Sequence, residues 1–314
     1  MSNMKAVRIH TYGGPDVLVY EDAPRPVAGD GEVLIRVYAT SVNPFDCAVR
    51  AGYMDGYFHY QLPLVLGSDV SGVIEAVGAG VTGFVPGVEV YGRGGVFRDG
   101  SNAEYVVVFA TDVAAKPPSL DHLHAAALPH VTLTAWQALI EMAQLSAGQT
   151  VLIHGAAGGV GHIAVQLAHW RGAKVIGTAS TNLDVLRELK VEQIIDYSKT
   201  PFESVAHDVD VVLDTVGGPV QERSYGVLKP GGILLSVVQP PSEETAKAHG
   251  VRAQMVSSSP PIGKTLTEVA SLVARGYIKP IVSVVLPLAE TRKAHEMIEG
   301  KHTRGKIVLQ VMTD

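Results

Sequence analysis

The 314-residue chain has a single cysteine, Cys47. One thiol excludes an internal disulfide framework and any cysteine-rich structural metal site. Charge is sparse too: Asp, Glu, Lys and Arg make up 18% of the residues, and the net charge is −6 without a basic run. That balance argues against a nucleic-acid or acidic-membrane partner. No apolar run approaches the roughly 18 residues that a bilayer span requires. The opening MSNMKAVRIH lacks a basic segment followed by an apolar core, so no secretory signal and a cytoplasmic location are expected. Twelve histidines are present without an H-E-x-x-H spacing. His122 and His124, two residues apart, read as a solvated turn rather than as ligands.

What is abundant is apolar: 46% of the residues are hydrophobic, with 33 glycines and 18 prolines spread along the chain. The length suggests two domains. From Lys5 to Val108, short strand-like runs (KAVRIH, VLVYEDA, GEVLIRVYAT, SGVIEAVG, GVEVYG, AEYVVVFA) alternate with Gly/Pro turns, indicating a β-rich domain. Within it, SVNPFDCAVRAG predicts a short helix, with Asn43 as N-cap, Pro44 at the first position and Asp46 at the third. Residues 119–145 change to a helical apolar pattern that includes Leu128, Leu133, Trp136 and Leu139. From Thr150 strand and helix periods alternate, which predicts a parallel sheet covered on both faces. The run Ser257 to Pro261 ends that alternation, and the last elements return to the first domain. The expected organisation is a β-rich domain of residues 1–125 and 261–314, interrupted by a doubly wound α/β domain of residues 126–260.

Thr150 to Gly161, TVLIHGAAGGVG, joins a buried strand to a helix through a glycine turn. Ala157, Gly158, Gly159, Val160 and Gly161 are the candidate phosphate-binding residues. The amides at a helix start and the positive end of its dipole form an anion site, and glycine lets a pyrophosphate approach the backbone. Ala156 replaces the first glycine of the usual fingerprint, so the turn alone is weak evidence.

Several further segments occur in a characteristic order: GGPDVL (13–18), SVNPFD (41–46), LPLVLGSDVSGVIEAVGAGV (62–81), LTAWQAL (133–139), HGAAGGVG (154–161), VLDTVGG (212–218), LKPGG (228–232) and RGKIVL (304–309). On these segments the whole chain resembles the zinc-free quinone oxidoreductase (ζ-crystallin-like) branch of the medium-chain dehydrogenase/reductase superfamily. The resemblance implies a Rossmann domain inserted into a GroES-like catalytic domain, NADPH bound in the cleft, and a homodimer formed through cofactor-domain sheet edges. In zinc-containing members, a cysteine stands where this chain has Asn43 and a histidine where it has Ser68. An amide and a hydroxyl do not replace thiolate and imidazole around zinc, so no metal is expected.

An NAD-preferring fold carries Asp or Glu about 20 residues beyond the glycine turn. Here Ala179 falls at that position, followed by Ser180, Thr181 and Asn182. Without a carboxylate to repel a 2′-phosphate, NADP(H) is the expected cofactor; Ser180, Thr181 and Asn182 also suit a helix N-cap. Tyr197 matches a tyrosine lining the adenosine phosphate pocket of the relatives, whereas a lysine of some relatives becomes Asp184. The resemblance places Asn43 beside the nicotinamide, either holding the ring or meeting the substrate carbonyl, as an alternative or addition to capping. Thr134 matches a cofactor-contacting threonine, although a core-facing role competes. Thr215, Val216 and Gly217 after one strand, and Val237 and Val238 after the next, fall at the carboxyl edge where nucleotides bind. Tyr53 matches a substrate-side tyrosine, with Tyr57 and Tyr60 close by. Asp46 and Asp69 flank the vacated metal positions, Cys47 reads as a packed small hydrophobe, and Arg304 and Lys306, the nearest basic candidates for a phosphate, read rather as surface or interface charges.

Without a metal to polarise an alcohol, the expected reaction is hydride transfer from NADPH to a quinone or α,β-unsaturated carbonyl. The rivals are an enoyl thioester reductase of lipid or polyketide metabolism and a non-catalytic NADPH-binding sensor or structural protein.

Overall fold

The computed structural model describes residues 2–94, 97–256, 262–301 and 303–313. The chain divides into two compact units. One comprises Met1–His130, Pro260–Gly276 and Pro280–Asp314, and the other Val131–Ser259 and Tyr277–Lys279. The 260/261 boundary expected from the Ser257 to Pro261 run lies outside the described residues.

The first unit is β-rich. Its longest strand, Glu32–Val42, pairs antiparallel with Asp69–Val77, Tyr105–Phe109 and Lys306–Gln310. Alternating Val33, Ile35 and Val37 fall on one face of that strand and pack with Val70, Ile74, Val90 and Val106 in an all-aliphatic core, where β-branched residues fit a pleated surface. The register sets Ile307 opposite Val42, and Asp69 opposite Arg93 in the next strand. Ser41, Asp69, Arg93 and Lys306 therefore gather at one end of the sheet. There the short helix Pro44–Arg50 begins, with Pro44 at its first position, as the SVNPFD pattern predicts. His122 departs from expectation. It lies on the helix His122–Ala126, stacked on Tyr38 at 4.6 Å and bonded to Ser71 at 2.8 Å, instead of in a solvated turn.

The second unit is a six-stranded, all-parallel sheet. Its strands are β1 Thr150–Ile153, β2 Lys174–Ala179, β3 Gln193–Asp196, β4 Val209–Asp214, β5 Leu228–Ser236 and β6 Arg252–Met255. Their order is β3-β2-β1-β4-β5-β6, the doubly wound arrangement in which nucleotides bind at the carboxyl ends of the strands, where the order reverses. Buried on both faces, these strands read as near-continuous apolar runs; all six residues of β4 are buried. No described helix is long and apolar enough to cross a membrane.

Candidate functional site

In the second unit, β1 runs through the glycine turn into helix α1, Gly159–Trp170. Gly158 is the N-cap and has no side chain to satisfy the first amides, so they and the dipole remain available to an anion. Gly161 sets how closely α1 packs on the turn that follows β1, rather than on the strand itself. A Cβ there would lie 2.2 Å from Gly155 O and 2.6 Å from Ala156 Cα, both backbone atoms. The cradle thus fits a dinucleotide pyrophosphate.

Two neighbouring loops at the carboxyl edge are tied together by Asp214, which the sequence reading did not single out. Its fully buried carboxylate accepts from the amides of Val216 (2.9 Å) and Gly217 (2.8 Å), and from Gln221 Nε2 (3.1 Å) and Ser236 Oγ (2.9 Å). Gly217 adopts φ +77°, a left-handed conformation that favours glycine. Thr215 Oγ1 donates to His154 O at 2.7 Å, Val237 N to Asp214 O at 3.0 Å and Val238 N to Ser236 Oγ at 3.3 Å. Asp214 lies opposite Ser236 in the parallel register. A carboxylate and a hydroxyl ending two adjacent apolar strands are the signal that could have revealed this clamp.

At the end of β2, Ser180 Oγ donates to Tyr197 OH at 2.7 Å, and the tyrosine ring is half exposed. Asn182, with φ +56°, is the N-cap of Leu183–Glu188 but its side chain does not cap; it reaches Thr181 Oγ1 at 3.5 Å. Asp196, opposite Ala179, is the carboxylate of the adjoining strand. It already accepts from Ser198 (Oγ 2.6 Å) and pairs with Lys199 (2.9 Å), bonds that hold its carboxyl below the usual range. Thr134 lies in the helix Pro129–Trp136, half-buried.

The first unit carries a buried polar cluster at the start of helix Pro44–Arg50. Asn43 is 1% exposed and Asp69 fully buried. Asn43 Nδ2 donates to Asp69 Oδ2 (2.8 Å) and to Ser68 Oγ (3.3 Å). Its Oδ1 accepts from the ammonium of Lys306 at 2.5 Å. Lys306 also donates to Val42 O at 3.2 Å and lies 3.4 Å from Asp69 Oδ2. The expectation that Lys306 is a surface or interface charge is therefore wrong: it is 3% exposed, because its strand pairs against the end of Glu32–Val42. Asp69 further accepts from Ser41 Oγ (2.5 Å) and His130 N (2.6 Å), while Ser68 Oγ meets His130 Nδ1 at 3.3 Å.

Burial alone would raise the Asp69 carboxyl, but Lys306, His130 and the hydrogen bonds from Asn43 and Ser41 hold it below the usual range. Asp46 behaves oppositely. Burial, reinforced by Asp69, pushes it up to about 7, even though it accepts from Asn43 N at 2.7 Å. Burial and then Arg93 push His130 down to about 3, so its imidazole is neutral. Phe45 lies 6.0 Å from His130 and 6.2 Å from Phe58, which in turn neighbours Tyr60 and Phe97. Tyr53 and Tyr57 stand 77% and 76% exposed, whereas half-buried Tyr60 is close enough for Asp46 to help burial raise its hydroxyl to about 12. Cys47 is packed as expected, 3.4 Å from His295 Nδ1, with burial raising its thiol to about 12.

A doubly wound unit with an uncapped glycine turn, joined in one chain to a β unit with a buried polar cluster, defines the class of dinucleotide-binding proteins that combine Rossmann and GroES-like domains. The alcohol dehydrogenase GroES-like domain model matches residues 29–118, and a zinc-binding dehydrogenase model matches residues 189–309. A mitochondrial NAD(P)H oxidoreductase of Danio rerio is 32% identical, with 99% of this chain and 92% of the relative covered. The chloroplastic NADPH-dependent alkenal/one oxidoreductase of Arabidopsis thaliana is 35% identical, covering 98% and 79%. The structure of a quinone oxidoreductase from Coxiella burnetii superposes with a TM-score of 0.91 at 35% identity, covering 99% and 100%. The chain belongs to the quinone oxidoreductase branch of the medium-chain dehydrogenase/reductase superfamily.

The zinc named in one matching family does not fit here. Asn43 and Ser68 offer a neutral amide and a hydroxyl, and the Lys306 ammonium lies against both Asn43 and Asp69, where a zinc ion requires thiolate, imidazole or carboxylate donors.

Proposed function

We propose that the protein is a zinc-independent, NADPH-dependent reductase of quinones or α,β-unsaturated carbonyls. The observation that carries this reading is the glycine turn into the uncapped helix α1, with a carboxylate-free hydroxyl segment at the end of β2. In this reading Ala157, Gly158, Gly159, Val160 and Gly161 line the pyrophosphate, with the helix-start amides donating to it while the Gly158 amide stays bonded to Gly155 O. Ser180, Thr181 and Tyr197 receive the 2′-phosphate by donating hydroxyl hydrogen bonds. The loops at Thr215, Val216 and Gly217 and at Val237 and Val238, fixed by Asp214, position the nicotinamide end, with Thr134 as a further contact. The dihydronicotinamide supplies the hydride when bound.

The substrate-side residues are Asn43 and Tyr53, with Asn43 held by Lys306 and Asp69. An electrophile of this class needs no Lewis acid and little acid–base assistance, which suits a neutral His130 and a salt-paired Asp69. The names of the quinone oxidoreductase and alkenal/one oxidoreductase relatives support the substrate class. The reading includes a homodimer, for which β6 offers a sheet edge carrying the exposed Met255; light scattering tests it.

The decisive experiment is stopped-flow oxidation of NADPH by a quinone, an enone and an enoyl thioester. Faster oxidation by the first two supports the reading. Preference for the thioester replaces it with an acyl reductase, and tight NADPH binding without turnover replaces it with a non-catalytic role.

A further inference from the structure

We propose that Lys306 is the built-in counter-cation of the substrate-side cluster, taking the electrostatic place that a metal fills in zinc-containing relatives. It acts as a positioning residue that fixes which way the Asn43 amide faces. The kinetic part of this inference rests on the reductase reading above; the structural part does not.

An asparagine amide can exchange its oxygen and nitrogen by a half-turn, so only its neighbours decide its orientation. At Asn43 the neighbours are decisive. The ammonium lies 2.5 Å from Oδ1 and the Asp69 carboxylate 2.8 Å from Nδ2. Turning the amide over would set NH2 against an ammonium and a carbonyl oxygen against a carboxylate. The chosen orientation continues outward, since Nδ2 also donates to Ser68, whose hydroxyl can then donate to the neutral His130 Nδ1 at 3.3 Å. Lys306 thus sets the polarity of a chain of hydrogen bonds from Asn43 through Ser68 to His130.

Arg93 lies on the strand paired with Asp69 and interacts electrostatically with Asp69 and Asp46. Asp46 bonds the Asn43 backbone, and His130 is uncharged. Only Lys306 reaches both Asn43 Oδ1 and Asp69 Oδ2 among the described hydrogen bonds. A buried ion pair adds little net stability compared with apolar packing, so the consequence of this one lies in what it orients. It also leaves a divalent ion no anionic ligand set, since Asp69 is already neutralised.

The test compares Lys306→Met with the double variant Lys306→Met/Asp69→Asn, measuring melting temperature, NADPH affinity by fluorescence and kcat with a quinone. The single variant is expected to lower the melting temperature by stranding a buried carboxylate. The double variant, with both charges removed, is expected to recover part of it, the remainder being lost because the new NH2 meets groups that donate to the present carboxylate. Both should still bind NADPH, whose pyrophosphate cradle is in the second unit, with at most a severalfold loss from the disturbed Asn43 amide, and both should lose kcat by roughly tenfold to hundredfold from that misalignment. A parental kcat in both variants, or a double variant no more stable than the single one, would overturn the proposal. If the single variant does not fold, the double variant still supplies kcat. A parent protein without turnover would sink the reductase reading alone, leaving the melting temperatures to decide the role of Lys306.

Discussion

Replacing Gly161 and Gly158 by alanine, one at a time, separates the two things a glycine turn does. At Gly161 the added Cβ would sit 2.2 Å from Gly155 O and 2.6 Å from Ala156 Cα. Ordinary contact begins near 3.4 Å, so α1 would have to move by about 1 Å from the turn backbone at Gly155 and Ala156, which is itself closely packed. Overpacking of this kind costs about 1–3 kcal/mol, or roughly 4 °C of melting temperature per kcal/mol for a unit of this size. At Gly158 the φ is −81° and the added Cβ would meet only Gly155 O, at 3.2 Å. A shift of a few tenths of an ångström relieves that contact, so stability should hardly change. The methyl group would nevertheless stand at the helix start, where the phosphate must approach the amides, and should weaken NADPH binding by roughly tenfold. Differential scanning fluorimetry with and without NADPH, together with fluorescence titration, measures both effects. Should Gly158→Ala melt early while Gly161→Ala keeps the parental melting temperature, the assignment of packing to one glycine and ligand approach to the other is refuted.

Tyr197→Phe removes the hydroxyl that accepts from Ser180. It should raise KM for NADPH about threefold to tenfold, the worth of one hydrogen bond of about 1 kcal/mol at a half-exposed site, and leave KM for NADH unchanged in steady-state kinetics. Asp214→Asn places an NH2 among groups that all donate to the present carboxylate; a loss of about 1–3 kcal/mol should appear in urea unfolding, with weaker NADPH binding. Asp46 has a folded-state value of about 7 against an ordinary 3.8. A raised carboxyl favours the folded state while protonated, and that contribution is lost as pH rises from about 4 to about 7. Asp46→Asn should therefore gain on the parent in melting temperature across that window, and the two should converge below it; equal pH profiles would contradict the buried, uncharged assignment. Finally, dialysis against a chelator should leave quinone reduction unchanged, and elemental analysis of active protein should find zinc well below one equivalent.

The parts of the structure legible in the sequence were those governed by local period and local sterics. The β-α alternation after Thr150, the glycine turn and the proline-initiated helix at Pro44 each depend on residues close together in the chain. NPFD likewise announced Asn43 as the start of a helix, whereas its candidacy as a site residue came only from the family resemblance. Lys306 was misread because a lysine beginning a strand normally faces water. Its burial depends on pairing with Val42, far away in sequence. Asp214 was overlooked because it closes an otherwise aliphatic strand, and its partners Ser236 and Gln221 become neighbours only when the parallel sheet forms. His122 looked like part of a solvated turn until folding laid Tyr38 against its ring. In each miss the deciding contact was long-range, and the local pattern was silent or pointed elsewhere.

The ladder between Val42 and Ile307 also imposes an order on biosynthesis. Chain emerging from a ribosome can complete the parallel sheet by residue 256, but the Asp69 carboxylate must wait for an ammonium 237 residues downstream. Until that strand arrives, the Asp69 carboxylate lacks the ammonium that lies against it in the finished protein. A nascent chain halted before residue 306 should therefore show a protease-resistant second unit beside a first unit that is still open to cleavage.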